Sequence, residues 1–320
     1  MPVSYPSKPR ANSGFTLVEM SIVLVLIGLL IGGVLAGRTL IDSAAVSSQI
    51  SQINKYQAAV HMFETKFNYL PGDIPDPAAT NNGFQSRGSY NGEGDGSGLL
   101  EGNCANTATG NGGLQAGCGE LAVFWQDLST AGLIDTNVKT GTNYPNIITP
   151  ASWPNTTASS TPAIQDWIPK AKVGGDAMYV YVYSGLGHNF YGVSTITKIG
   201  WSIDSTLSTP GIAVQQAYNI DTKADDGLPQ SGNITACYVN SQTTDGSSGA
   251  SVYAAGSLGE GKNNGVTWLN GTGSACTPNT AATAYAATNC FDNNGSAGTQ
   301  QYSVQFNPDR LNCALSFQFQ

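Results

Sequence analysis

Glu19 is a lone carboxylate near the start of an apolar run, and so the first side chain here whose position suggests chemistry. Asn91, Glu93 and Asp95 form a second group. They set oxygen-bearing side chains at alternate positions in Asn-Gly-Glu-Gly-Asp-Gly, as the first half of a calcium loop does. A loop of that kind wants a Glu at position 102, where the chain has Gly102, and Glu101 is one residue short. Three side chains also cannot fill the roughly six to eight oxygen positions around Ca²⁺. A solvated acidic turn therefore competes with calcium binding. Asp221, Asp225 and Asp226 make a further acidic group, which a helix-ending turn explains. The two histidines, His61 and His188, lie far apart without ligand spacing. A His-based zinc site or a Ser-His-Asp arrangement has nothing to build on. No Gly-rich phosphate loop leading into Lys-Ser or Lys-Thr occurs. The chain reads as non-enzymatic, with no cofactor beyond the calcium candidate.

The cysteines are Cys104, Cys118, Cys237, Cys276, Cys290 and Cys313, with no C-x-x-C pair to suggest a metal. In an exported chain they imply disulfides whose connectivity the sequence leaves open. Cys104/Cys118 and Cys276/Cys290 each enclose a short loop, and closing such a loop constrains the unfolded chain by about 3 kcal/mol in the entropy model. Cys237 and Cys313 fall in predicted strands and could be neighbours.

The element that positions Glu19 is a helix. Residues 1–14 are polar and carry Lys8 and Arg10 with no acid. Residues 15–37, FTLVEMSIVLVLIGLLIGGVLAG, carry Glu19 as their one charge. The cations ahead of the run place the N-terminus in the cytoplasm, and the eighteen uncharged residues from Met20 to Gly37 are at the threshold for spanning a bilayer. Three readings compete: a secretory signal cut after Val34-Leu35-Ala36, a plain anchor, or a processed and retained helix. No Pro occurs between Pro9 and Pro71, and Ile53, Tyr56, Val60, Phe63, Phe67 and Leu70 step by three and four. One helix from about Phe15 to Tyr69 is expected, about 80 Å long. Its first half is apolar all round. Its second half carries Lys55, Glu64 and Lys66 for water and an apolar stripe that needs a globular partner. Gly28/Gly32 and Gly33/Gly37 are small-residue pairs of the kind that let helices approach closely in lipid.

Gly14-Phe15-Thr16-Leu17-Val18-Glu19 resembles the cleavage box of type IV prepilins and type II secretion pseudopilins. The resemblance implies that prepilin peptidase cuts between Gly14 and Phe15 and that Phe15 becomes N-methylated. It implies that Glu19 neutralises the free amine of Phe15, on a neighbouring subunit during filament assembly. Against this, a carboxylate at the membrane interface can simply snorkel to water. Cleavage would remove Lys8 and Arg10, taking the formal charge from −8 to −8 − 2 = −10. Some pseudopilins hold Ca²⁺ in a loop, which bears on Asn91, Glu93 and Asp95. The Leu70-Pro71-Gly72-Asp73 turn, the helix at 120–134 and the string AYNIDTKADDGLPQSG at 217–232 also resemble segments of large pilin-like proteins.

Beyond the long helix, residues 71–118 read as loop and 120–134 as a short helix with Leu121, Phe124, Trp125 and Leu128 on one face. Strands are expected at 177–184, 189–196, 200–203, 234–239, 302–306 and 313–319, and a helix at 212–223. Residues 240–300 read as an insertion of loops and short strands. The chain has 320 residues, 13 Lys+Arg against 21 Asp+Glu, and only 11% charged residues. That balance disfavours general nucleic-acid binding. The 9% aromatic content argues against a charge-driven disordered chain.

The fold expected is α+β and pilin-like: a long N-terminal helix, transmembrane in its first half, packed on an antiparallel β-sheet with a loop-rich insertion. The parts are a basic leader at 1–14, a transmembrane segment at 15–37, an amphipathic half-helix at 38–70 and an exported β-rich head at 71–320. The function expected is that of a subunit of a type IV pilus or a secretion pseudopilus, a minor or tip subunit by its length. Its partners would be prepilin peptidase, other pilin subunits and the inner membrane, with the head in the periplasm. The rival is a secreted binding protein released at Ala36.

Overall fold

A computed structural model describes residues 1, 16–87, 94–100, 119–135, 138, 164–185, 188–198, 207–240, 251–254, 266–267, 289–292 and 301–320. The chain divides into two compact units, residues 1–44 and 45–320. Helix α1 runs Leu17–Phe67, 51 residues. It ends two residues short of the expected Tyr69 because Asn68 takes φ 60°. Asn tolerates this left-handed cap better than most residues, and its amide closes on the Glu64 carbonyl at 2.7 Å.

Within residues 45–320, α1 buries Val46, Gln49, Gln52, Ile53, Tyr56, Ala59, Val60 and Phe63. That is the stripe anticipated from the three-and-four spacing, extended two turns toward the N-terminus through Gln52, Gln49 and Val46. Lys55, Lys66 and His61 face solvent, and Glu64 is half-buried. The stripe meets aromatic rings: Tyr56 stands edge-on to Trp125 at 4.8 Å, and Phe63 lies 5.3 Å from Phe84. Two buried glutamines fix the helix along its axis. Gln49 Oε1 accepts the Lys172 amide at 2.7 Å, and Gln52 Nε2 donates to the Lys170 carbonyl at 2.7 Å.

The main sheet is antiparallel. Strand β1 (Met178–Gly185) and β2 (His188–Lys198) form a hairpin in register from Met178↔Thr195 to Gly185↔His188. Strand β3 (Leu207–Thr209) pairs with β2, as does β10 (Leu315–Gln318), and β10 pairs with β4 (Ile234–Thr235). The order is thus β1-β2-β10-β4. Met178 through Tyr183 are all buried, so β1 is covered on both faces and reads as a continuous apolar run. Opposite Tyr181 stands Gly192. A Cβ there would overlap the Tyr181 ring, so the glycine lets that ring lie across β2.

Helix α2 is a single turn at Ala78–Asn81, inside the expected loop 71–118. Helix α3 (Gly119–Thr130) buries Leu121, Phe124, Trp125 and Leu128, as its pattern requires. Helix α4 (Val214–Ala224) matches the expected helix at 212–223. A second sheet joins β5 (Cys237–Asn240), β6 (Ser251–Ala254) and β7 (Val266–Thr267). Strands β8 (Phe291–Asp292) and β9 (Gln301–Tyr302) form a two-stranded ribbon. Two expectations change. The strand expected at 234–239 breaks at Ala236, whose amide turns to the Pro229 carbonyl, sending β4 and β5 into different sheets. The strand expected at 302–306 stops at Tyr302, because Asn307 and Phe306 fold back onto the Ser303 carbonyl. The strand expected at 200–203 lies outside the described residues.

Candidate functional site

The described part of the candidate processing region is the first turn of α1. Thr16 precedes the helix, and Glu19 is its third residue. Glu19 Oε2 accepts the Thr16 amide at 2.8 Å and the Thr16 hydroxyl at 2.9 Å, while Thr16 Oγ1 accepts the Glu19 amide at 3.3 Å. This reciprocal pair is a capping box, whose signature is Thr followed three residues on by Glu. The carboxylate thus also satisfies helix-start donors, a role that reading Glu19 only as a counter-charge overlooked. Gly14 and Phe15 lie outside the described residues.

Residues 16–36 are exposed throughout. Leaving a Leu, Ile or Val side chain in water forgoes roughly 1.5–3 kcal/mol each, so covering this segment with lipid or other helices would be favourable. The helix is long and apolar enough to cross a membrane. A Cβ added at Gly28, Gly32, Gly33 or Gly37 would meet nothing within 4 Å. Those small-residue positions are not used by contacts among the described residues.

Of the proposed calcium residues, Asn91 and Glu93 lie outside the described residues. Asp95 is exposed, and a carboxylate oxygen of it lies within 4.8 Å of oxygens on buried Asp73 and buried Glu120. The sequence had Asp73 and Glu120 only as a turn residue and a helix start. The fold joins them because the 94–98 loop wraps back over α3. Asp73 Oδ1 accepts the Gly96 amide at 2.7 Å, its Oδ2 the Gly98 amide at 2.8 Å, and Glu120 Oε1 the Gly94 amide at 2.8 Å. Burial pushes the Asp73 carboxyl up, against the amides of Gly98 and Gly96 and the nearby Glu120. The three carboxylates could hold a cation, but amides of the loop already occupy several of their oxygens. Gly72 makes the approach of α3 feasible: it has φ +90°, and a Cβ on it would sit 2.5 Å from the Glu120 carbonyl oxygen. Next to it, Asp127 accepts the Gly72 amide at 2.7 Å and forms a buried ion pair with Arg87 at 2.7 Å. Removing one partner of such a pair costs about 3–5 kcal/mol.

Asp221, Asp225 and Asp226 do gather, with oxygens within 4.8 Å of one another. Among the cysteines, Cys290 bonds to Cys313, with Cα atoms 4.9 Å apart. This replaces both the Cys276–Cys290 and the Cys237–Cys313 pairings. Short sequence separation favours Cys276, but Cys313 bridges Ile212 inside the core, and the Ser303 amide binds the buried Cys290 carbonyl. The tertiary fold therefore outweighs loop length. Cys237 lies at the start of β5. Cys104, Cys118 and Cys276 lie outside the described residues.

Neither a curated protein nor a solved structure matches the chain. One family model does, described as the prokaryotic N-terminal methylation motif, over residues 9–35. That match covers the Gly14–Glu19 string and the apolar start of α1, and the fold behind it is the long helix with an antiparallel sheet that the resemblance implied. This chain carries the cleavage and methylation motif of type IV pilins and pseudopilins.

Proposed function

We propose that the protein is a structural subunit of a type IV pilus or a type II secretion pseudopilus. Prepilin peptidase cuts its precursor between Gly14 and Phe15, and Phe15 is then N-methylated. Before assembly, residues 15–37 hold the subunit in the inner membrane and the head stands in the periplasm. The subunit then enters the filament through its N-terminal helix, with Glu19 facing the Phe15 amine of a neighbour. The observation that carries this reading is the methylation motif at 9–35, whose described part from Leu17 onward is the start of a 51-residue helix with its apolar side chains at 17–36 uncovered. Calcium at Asp95 and its neighbours enters no step of it. The size of the compact unit 45–320 supports a minor or tip subunit, with the loops of 71–320 as a recognition surface. Mass spectrometry of the mature N-terminus tests the reading. N-methyl-Phe15 is the expected start, and a start at Gly37 would sink it in favour of a secreted binding protein.

A further inference from the structure

Asp221 is fully buried in the last turn of α4. Its Oδ2 accepts the Tyr302 hydroxyl at 2.8 Å, and its Oδ1 accepts the Gly227 amide at 3.0 Å. Carboxylate oxygens of Asp225 and Asp226 lie with its own inside 4.8 Å. Those two hold the same loop: Asp225 Oδ2 accepts the Ile234 amide at 2.7 Å, and Asp226 accepts the Leu228 amide at 2.8 Å and the Ser231 hydroxyl at 2.6 Å. One group of carboxylates thus ties together the end of α4, the loop 225–233 that feeds β4, and β9.

The two sides of this junction differ in freedom. Strands β8 and β9 are anchored through Cys290 and its disulfide to Cys313. The loop side contains Gly227 and Gly232, both at φ +75°, and a Cβ on Gly232 would overlap the Asp225 carboxylate. If the junction opens, the loop is the part that moves.

We propose that Asp221, with Asp225 and Asp226, is a pH-sensitive clasp that holds loop 225–233 against α4 and β9 when Asp221 carries a proton and loosens it when all three acids are ionised. A protonated Asp221 keeps its partner, because the Tyr302 hydroxyl accepts a hydrogen bond as well as donating one. Once ionised, it is a buried charge facing two like charges. No buried cation among the described residues compensates. Lys223 on α4 is exposed. Asp309 and Arg310 are exposed too, and their segment meets α4 at its first turn, where the Val214 amide binds the Arg310 carbonyl. Asp292 on β8 accepts the Ser303 hydroxyl at 2.6 Å. The Tyr302 hydroxyl is itself pushed well above its ordinary range by burial, so it stays neutral.

Burial, helped by the charges of Asp226 and Asp225 and opposed by the bonds from Tyr302 and Gly227, pushes the Asp221 carboxyl up to about 7. In the open loop it would return toward the ordinary 3.8. Between those values the closed clasp holds one proton more than the open one. Closure is fully stabilised below the lower value and loses that stabilisation as pH rises through about 7.

Hydrogen–deuterium exchange of the full chain in detergent with EDTA tests the clasp. The readout is the peptide spanning 225–236, corrected for intrinsic exchange, from pH 5 to 8. One linked proton predicts that protection falls about tenfold per pH unit up to about 7 and then levels off. The β1–β2 hairpin should show no such slope. Asp221→Asn should abolish the slope. Asp226→Asn, at an exposed position, should move the levelling-off to lower pH, and it keeps the test decisive if the first variant does not fold. Flat protection in the unaltered chain, or an Asp226→Asn profile that does not move, would overturn the clasp. Neither result bears on processing at Phe15, so the clasp stands or falls apart from the filament reading.

Discussion

Glu19 accepts two hydrogen bonds from Thr16, and a Gln side chain can make both. What Gln cannot supply is the charge that a neighbouring Phe15 amine would need. The side chain's two roles therefore separate experimentally. With charge pairing as the role in assembly, Glu19→Gln should be lost from filaments as fully as Glu19→Ala, and Glu19→Asp should fall between them and the unaltered chain. An unpaired amine where water is scarce costs several kcal/mol, roughly, so the loss should be large. All three variants should still be cut and should still fold their heads, because the core begins at Val46. The measurement is the fraction of mature subunit in sheared filaments. Gln behaving like the unaltered chain would leave the helix cap as the residue's role, and normal incorporation of both Gln and Ala would leave only an interface carboxylate. At this scale the sequence was informative where chemistry is local. Gly14, Phe15 and Glu19 stand in one string, and even the cap was visible in the Thr-x-x-Glu spacing. Asp73, Glu120, Arg87 and Asp127 could not be found that way, because loop closure and the packing of α3 bring them together.

Elements with a strong period were legible from the chain. The α1 stripe, α3, α4 and strands β1 and β2 all fall within a few residues of where spacing and composition put them. The failures lie where a strand's end depends on what it meets: β4 and β5 share one apolar run and part at Ala236, and β9 stops where Ser303 turns. The disulfide belongs to the same class, since proximity in sequence favours Cys276 for Cys290 and the fold joins it to Cys313 across a separation of 23 residues. Non-reducing peptide mapping should recover Cys290–Cys313. Replacing both by Ser should destabilise the head by about 3 kcal/mol in the chain-entropy model, read as a lower melting temperature. Recovery of Cys276–Cys290 instead would mean that the junction of β8 with the 211–213 segment is wrongly placed.

For the whole molecule, the division at Ala44/Ala45 makes a direct prediction. Every buried residue of α1 lies at or after Val46. A chain starting at Ala45 should therefore be soluble without detergent, sediment as a monomer and melt in one cooperative transition. Aggregation or loss of the helical signal would show that the head needs the preceding helix to fold.

If the head crosses a membrane with its N-terminal end first, as the proposed function requires, the position of β10 has a consequence for the order of events. It follows every other described strand in the chain, yet it lies between β2 and β4 in the sheet. Until β10 emerges, the β2 edge that it pairs with, and β4, whose strand partner among the described residues is β10, keep their backbone donors and acceptors open to any passing strand. Cys290 waits with them, since its partner Cys313 emerges just ahead of β10. Pairing β10 and joining Cys290 to Cys313 therefore both wait for the residues from 313 onward. A subunit stalled before residue 313 would lack both the strand that completes the sheet and the native partner of Cys290.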